Sequence, residues 1–340
     1  MGCIGGKADA AMPGDIGGEM KYQPLRLRPC YKEYLWGGRR LKAEFNKVDA
    51  PDVTAESWEL AAHKDGFSTV ADGFLQGKSL ADLGQMDKPG IWGSDCKCEE
   101  FPVMVKLIDA AKDLSIQVHP SDETALSQLG ESGKAEMWYI VECEPNASLH
   151  FGFSKKISKD EFCRRAKDGT ICEVLNRAPV KKGDVFFILP GTVHAIGAGI
   201  VIAEIQQNSN TTFRIYDYQR RDANGNLRPL HLERASEVLN YAPLLPEECR
   251  VNNSVCFPEF TLAEMFSCRY FRSYRIDVRA RINLRCDGRS FQHLLCVDGN
   301  GGIRYGDDIY TMCRGDSFLM PAALGEYTIE GQCRVLLSRI

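Results

Sequence analysis

Four side chains of this sequence are of the kind that hold a divalent ion without help from thiolate: Gln117, His119, Glu136 and His194. Gln117 and His119 stand two residues apart in LSIQVH, where Ser115, Gln117 and His119 alternate with Ile116 and Val118. A strand there projects the three polar residues from one face. Glu136 follows in GKAEMWYIV and His194 in LPGTVHAIG. Imidazole, carboxylate and amide oxygen together suit zinc, one ion per chain, or another first-row divalent ion. Three or four such donors with a position left open describe a catalytic site, at which an ion polarises a carbonyl or hydroxyl oxygen. Two unconnected histidines are more often ordinary core or turn residues, so the weight rests on the blocks around them. Taken alone, these residues imply metal-assisted chemistry on a small polar molecule.

The elements that must position these groups are mostly strands. ESWELAAHKDGFSTVADG (56–73) has the alternation and turn residues of short strands, with His63 in a structural place before a Lys-Asp-Gly turn. SLADLGQM (79–86) reads as a short helix. FPVMVKLIDAA (101–111) is an apolar run interrupted by Lys106, which must lie at a strand end, be paired, or face a polar cavity. The metal strand 114–119 follows and is stopped by Pro120, after which Ser121 or Asp122 caps a helix. In the strand 134–142 Lys134 and Glu136 share a face, bringing a cation to the carboxylate. Residues 158–176 have helical spacing, 231–242 form another helix, and 180–218 alternate strand with turns at Gly183-Asp184, Pro190-Gly191 and Gly197 to Gly199. From Asn252 onward a second strand-rich unit carries an echo: VKKGDVFFILP (180–190) is answered by MCRGDSFLMP (312–321). Four residues past the proline the first copy has His194 and the second Gly325, so only the first unit keeps metal donors. His293 is expected to be packed without a partner.

At 340 residues, with 44% apolar and 26% charged residues, the chain suits two or three small globular units. A net charge of -4 gives no electrostatic case for nucleic acid or an anionic membrane as partner, and no apolar run is long enough to cross a bilayer. The 14 cysteines are scattered in a long chain, which favours reduced, mostly buried thiols in a cytoplasm over a disulfide framework. Cys96 and Cys98, in an acidic loop without a second pair, do not form a zinc site. Residues 1–20, rich in Gly and Ala, are expected to be a flexible leader, and the opening Met-Gly-Cys lacks the Ser or Thr of an acylation motif, since Gly6 stands there.

KLIDAAKDLSIQVHPSDE (106–123), GKAEMWYIV (133–141), LPGTVHAIGAGI (189–200) and QQNSNTTFRIYDY (206–218) resemble the successive motifs of type I phosphomannose isomerases, in particular the short bacterial form. Four ordered, separated blocks are far more specific than any one of them, and the resemblance runs from about Tyr22 to the C-terminus. It implies a mainly β fold with helical insertions, built as two cupin-like, jelly-roll barrels: a catalytic metal-binding domain at 21–250 and a C-terminal cupin-like domain at 251–340, which would cover the first and part of its cleft. It implies a cytoplasmic enzyme that converts mannose 6-phosphate reversibly to fructose 6-phosphate through an enediolate.

The same resemblance carries residue roles. Arg214 matches the family's active-site arginine and Lys134 the lysine beside the metal, while Lys106 and Ser115 match substrate-contacting positions. Without it, Arg214 reads as a strand-end arginine paired to Asp217 or Glu204. One departure stands out: the short forms have Asn-Ser-Asp where this chain has Asn208-Ser209-Asn210. An amide cannot transfer a proton as a carboxylate does, though it keeps an acceptor oxygen. Glu204, Lys134 and a metal-bound water are the alternatives, and Asn210 leaves room for a second reading, a weak or inactive cupin that binds a sugar phosphate as a sensor. Oligomeric state is not encoded in any of these features.

Overall fold

The computed structural model describes residues 22–222, 224–246 and 254–340; the expected leader and the expected boundary at 250/251 lie outside them. Within these residues the chain is mainly β, with helices inserted between strands.

A six-stranded antiparallel sheet lies at the centre, in the order Val185–Ile188, Glu136–Cys143, Ile200–Gln207, Val103–Ala110, Glu56–Leu60, Cys30–Lys32. Its long strands read as nearly continuous apolar runs because both faces are covered. Val103, Val105 and Leu107, with Val201, Ala203 and Ile205, face one way, into a core shared with Phe291, Leu295, Leu319 and Leu336 of the C-terminal sheet. Ile108, Ile202, Trp138 and Phe186 face the other way and meet Leu149 and Phe151 of a five-stranded sheet. That second sheet runs Leu175–Pro179, Ser148–Phe153, His194–Ala195, Ile116–Val118, Phe213–Tyr216. Its outer face is sealed by the helices Lys159–Asp168 and Leu232–Val238 through Phe162, Ala166 and Ala235.

Register then decides which polar residues meet. Trp58 pairs with Lys106, Lys106 with Glu204, Glu204 with Trp138 and Trp138 with Phe186 across five neighbouring strands. One row of side chains on the face toward the five-stranded sheet therefore contains a lysine and a glutamate between two tryptophans. Lys106 is thus mid-strand, and its two other expected situations hold together: it is paired, and it faces a cavity.

The echo is one local structure used twice. Gly183 and Gly315 both have φ of 92°, which disfavours a side chain. Asp184 accepts from the Lys181 amide at 3.1 Å and Asp316 from the Cys313 amide at 2.9 Å. Strands Val185–Ile188 and Ser317–Met320 follow, and His194 and Gly325 each open the next strand. In the C-terminal sheet the long strands Gln292–Tyr305 and Gly325–Arg339 pair along their length. They bring Ile276, Leu294, Ile303, Met312 and Ile329 into one core. Leu25–Arg28 joins this sheet through Ser317–Met320.

Several expected boundaries move. The metal strand is only Ile116–Val118, with His119 just past its end. The helix expected at 79–86 runs Leu80–Ile91, with a capping box between Ser79 and Asp82 and a break at Asp87 before Pro89. Ser121 occupies the N-cap of Asp122–Leu129 without a capping hydrogen bond. The segment 158–176 splits into Lys159–Asp168 and a short 3-10 turn, Ile171–Val174, because Gly169 adopts the left-handed conformation. His293 does have a partner, with Nε2 2.7 Å from Ser317 Oγ. The described cysteines are free as expected, but only Cys96, Cys286, Cys296 and Cys333 are fully buried.

Candidate active site

His119, Glu136 and His194 come from three strand ends in two sheets and converge with their donor atoms within 4.8 Å of one another. All three are buried. The tautomers follow from their neighbours: His119 Nδ1 is 2.9 Å from the Thr211 carbonyl and His194 Nδ1 is 2.8 Å from that of Thr192. A carbonyl only accepts, so each Nδ1 carries the hydrogen and each Nε2 presents a lone pair. These Nε2 atoms lie 3.2 Å apart, and Glu136 reaches both at 3.4 Å. Donors about 2.1 Å from a tetrahedral ion stand roughly 3.4 Å from each other. The spacing fits.

Gln117 is a neighbour in register, paired with His194, and its amide end is 3.5 Å from His194 Nε2. Turning the amide over offers its oxygen at the same place. Neither oxygen of Glu136 accepts a hydrogen bond although both are buried, which is costly for a carboxylate without a cation. The cation supplied by the chain itself is Lys134, with Nζ 2.8 Å from Glu136 Oε2 and 3.2 Å from His119 Nε2. Burial pushes the Glu136 carboxyl up, but the Lys134 ammonium beside it outweighs this and holds it well below the usual range. Burial, helped by the Lys134 charge, brings His119 down to about 4, and burial also lowers His194. Both rings are neutral at physiological pH, as metal ligands must be.

Beside this cluster opens a cavity of about 210 Å³, lined by Ser115, Gln117, Lys106, Lys134, Arg214 and Asn210 among others. All the substrate-facing residues expected from the sequence therefore meet at one place. Lys106 Nζ lies 3.3 Å from Glu204 and 3.6 Å from Glu56, over the Trp58 ring. Burial alone would lower its pKa, but these two carboxylates raise it, so Lys106 stays an ammonium. Glu56 is also hydrogen-bonded to Trp58 Nε1, and its only mark in the sequence is the two-residue spacing from Trp58 that puts both on one face.

Arg214 is not paired to Asp217 or Glu204. Asp217 is taken by Arg220 and Arg228, and Arg214 donates instead to the Pro229 carbonyl at 2.9 Å while its Nε has no partner. Burial and the neighbouring Arg228 charge lower its pKa. Arg228 also lines the cavity, and nothing local in its sequence marked it. Among the described residues, those that line this cavity lie between Tyr34 and Arg228.

A family model described as the catalytic domain of type I phosphomannose isomerase matches residues 25–147, and one described as the cupin domain of mannose-6-phosphate isomerase matches 262–340. Mannose-6-phosphate isomerase ManA of Bacillus subtilis is 36% identical over 322 residues, covering 94% of this chain and all of that protein. The chain belongs to the type I phosphomannose isomerase family. Another Bacillus subtilis relative, the probable mannose-6-phosphate isomerase GmuF, is 38% identical and covers 93% of this chain and 98% of its own length. The crystal structure of mannose 6-phosphate isomerase from Bacillus subtilis superposes with a TM-score of 0.86 at 33% identity, over 93% of this chain and 99% of that one. The His119–Glu136–His194 cluster thus sits within a phosphomannose isomerase fold that covers nearly the whole chain.

Proposed function

We propose that this phosphomannose isomerase interconverts mannose 6-phosphate and fructose 6-phosphate in the cytoplasm, using one zinc ion held by Gln117, His119, Glu136 and His194. The observation that carries the reading is the convergence of two imidazole lone pairs and the Glu136 carboxylate, all buried, on one side of a small cationic cavity. Bound there, a divalent ion supplies Lewis acidity toward a sugar oxygen.

The chain's own groups supply the rest. Moving the proton next to a sugar carbonyl passes through an enediolate, whose negative charge needs fixed cations close by. Lys134 stands beside the donors, and Arg214 faces the same cavity from the Phe213–Tyr216 strand. Lys106, kept as an ammonium by Glu56 and Glu204, is a donor to sugar hydroxyls and not a base, and Ser115 adds a hydroxyl from the adjoining segment. Arg214 and Arg228 both line the cavity, and the one carboxylate near them, Asp217, is taken by Arg228 and by Arg220 behind it, which leaves Arg214 without an acidic partner. That surplus of positive charge suits the phosphate of the substrate.

Asn210 transfers no proton, and the role falls to Lys134 or Glu204, which approach each other to 3.8 Å. Glu204 has one oxygen fixed by Trp138 Nε1 at 2.9 Å and turns the other toward the Lys106 ammonium at 3.3 Å. We also read the chain as two cupin-like barrels, 21–250 and 251–340, of which the second has Gly325 in the place of His194. Turnover of mannose 6-phosphate, followed by a coupled assay for fructose 6-phosphate, should be abolished by prolonged chelation and return with zinc or cobalt. Activity indifferent to chelation, or tight sugar phosphate binding without turnover, would refute the reading.

A further inference from the structure

Asn210 lines the cavity, yet its side chain leads away from it, to the turn that joins Ala62–His63 and Gly66–Phe67. Its Nδ2 donates to Asp65 Oδ2 at 2.8 Å, and because a carboxylate only accepts, the orientation of the amide is fixed. The neighbouring residue of the turn makes a second contact of the same sense. Lys64 pairs with Glu131, and Glu131 Oε2 accepts from Thr211 Oγ1 at 2.9 Å.

These two contacts grip adjacent residues of one segment. Thr211 is the residue whose carbonyl fixes the His119 tautomer, and Asn210 and Thr212 on either side of it form cavity wall. The turn is anchored in its own right: the Asp65 amide donates to His63 Nδ1 at 3.1 Å, and Lys32 Nζ donates to the Asp65 carbonyl. The His63 ring stands edge-on to Trp58, their centroids 6.3 Å apart, and Trp58 lies beneath Lys106. One short turn therefore ties the Trp58–Lys106 side of the cavity to the segment that orients His119.

We propose that the Lys64–Asp65 turn is a clasp that holds residues 209–212 against the substrate cavity, with Asp65 and Asn210 acting as positioning residues for the isomerase reaction. The proposal rests on the functional reading above. It also assigns Asn210 a task that its amide does and a carboxylate cannot, since an aspartate at 210 would confront Asp65 with like charge and no donor.

The test compares the parent with Asn210→Asp, Asp65→Ala and the reciprocal pair Asn210→Asp with Asp65→Asn, in which the amide and the acid change places. Each of the two single changes should raise KM for mannose 6-phosphate about fivefold and leave kcat within about twofold. The reciprocal pair should return KM toward the parent value. Hydrogen exchange of the backbone amides at 209–212 should quicken in both single variants and slow again in the pair. This readout needs no turnover, so a parent without isomerase activity would sink the functional reading and still leave the clasp tested. Unaltered exchange and KM in the single variants, or failure of the pair to recover, would overturn the proposal. So would a gain in kcat from Asn210→Asp whichever residue stands at 65, because the carboxylate would then be acting in the chemistry.

Discussion

Lys106 shows how much of the site depends on a charge held in the middle of a sheet. It is 2% exposed, and it persists there because Glu56 and Glu204 flank it from the two neighbouring strands. Removing one member of a buried ionic group costs more than the group is worth, since the partners are left charged and unsolvated. Lys106→Met should therefore lower unfolding stability by about 3 kcal/mol, read from the shift in urea midpoint, and Glu56→Gln added to it should recover part of the loss. A variant as stable as the parent would mean that the two carboxylates do not depend on this ammonium. The donors of the metal cluster were legible at this scale because each sits in a short block whose alternation sets the direction of its side chain. Glu56 and Arg228 were not, because what makes them functional is a neighbour brought close only by the fold: Lys106, fifty residues on, for the one, and Asp217, across the loop that leads back to the Phe213–Tyr216 strand, for the other.

At the scale of elements, the paired segments 180–190 and 312–321 offer an internal control. Gly183 and Gly315 share a φ of 92°, so replacing either by alanine costs the strain of a left-handed residue, about 1 to 2 kcal/mol. Their surroundings differ. A Cβ on Gly183 meets nothing within 4 Å, whereas one on Gly315 would lie 1.8 Å from the Phe45 carbonyl oxygen. Gly315→Ala should thus destabilise clearly more than Gly183→Ala in denaturant titrations, and equal losses would show that the Phe45 backbone yields freely. The echo was visible in sequence because turn chemistry is local: a glycine for the backbone and an aspartate that bonds back to an amide. The ends of strands and helices were less so. Ser121 reads as a cap but makes no side-chain capping bond, and the carboxylate of the next residue, Asp122, accepts from Gly133, Gln207 and Tyr270.

The whole molecule is held by the central sheet being covered on both sides, and the odd-numbered face of Val103–Ala110 lies on the C-terminal sheet. A polar contact crosses this seam. Lys47, 5% exposed, pairs at 2.8 Å with the fully buried Glu59 and also donates to the Gly315 carbonyl. Glu59 also accepts from Ser57 at 2.6 Å, on the strand whose alternate residues Glu56 and Trp58 face the site. Lys47→Met should cost about 3 to 5 kcal/mol, and Lys47→Met with Glu59→Leu considerably less, measured by thermal or urea unfolding. A single variant no weaker than the double would show the seam to be held by apolar packing alone. Continuous apolar strands announced that both faces are buried; nothing in them said which sheet covers which face, since that choice is made by distant segments.

The central claim is that four side chains, distant in sequence, form one metal centre. Metal analysis of the purified protein beside His194→Ala, with circular dichroism to confirm that the variant is folded, tests it most directly. The account predicts close to one divalent ion per parent chain and a large loss of bound ion in the folded variant. A folded His194→Ala protein that retains the parent's metal content would contradict it.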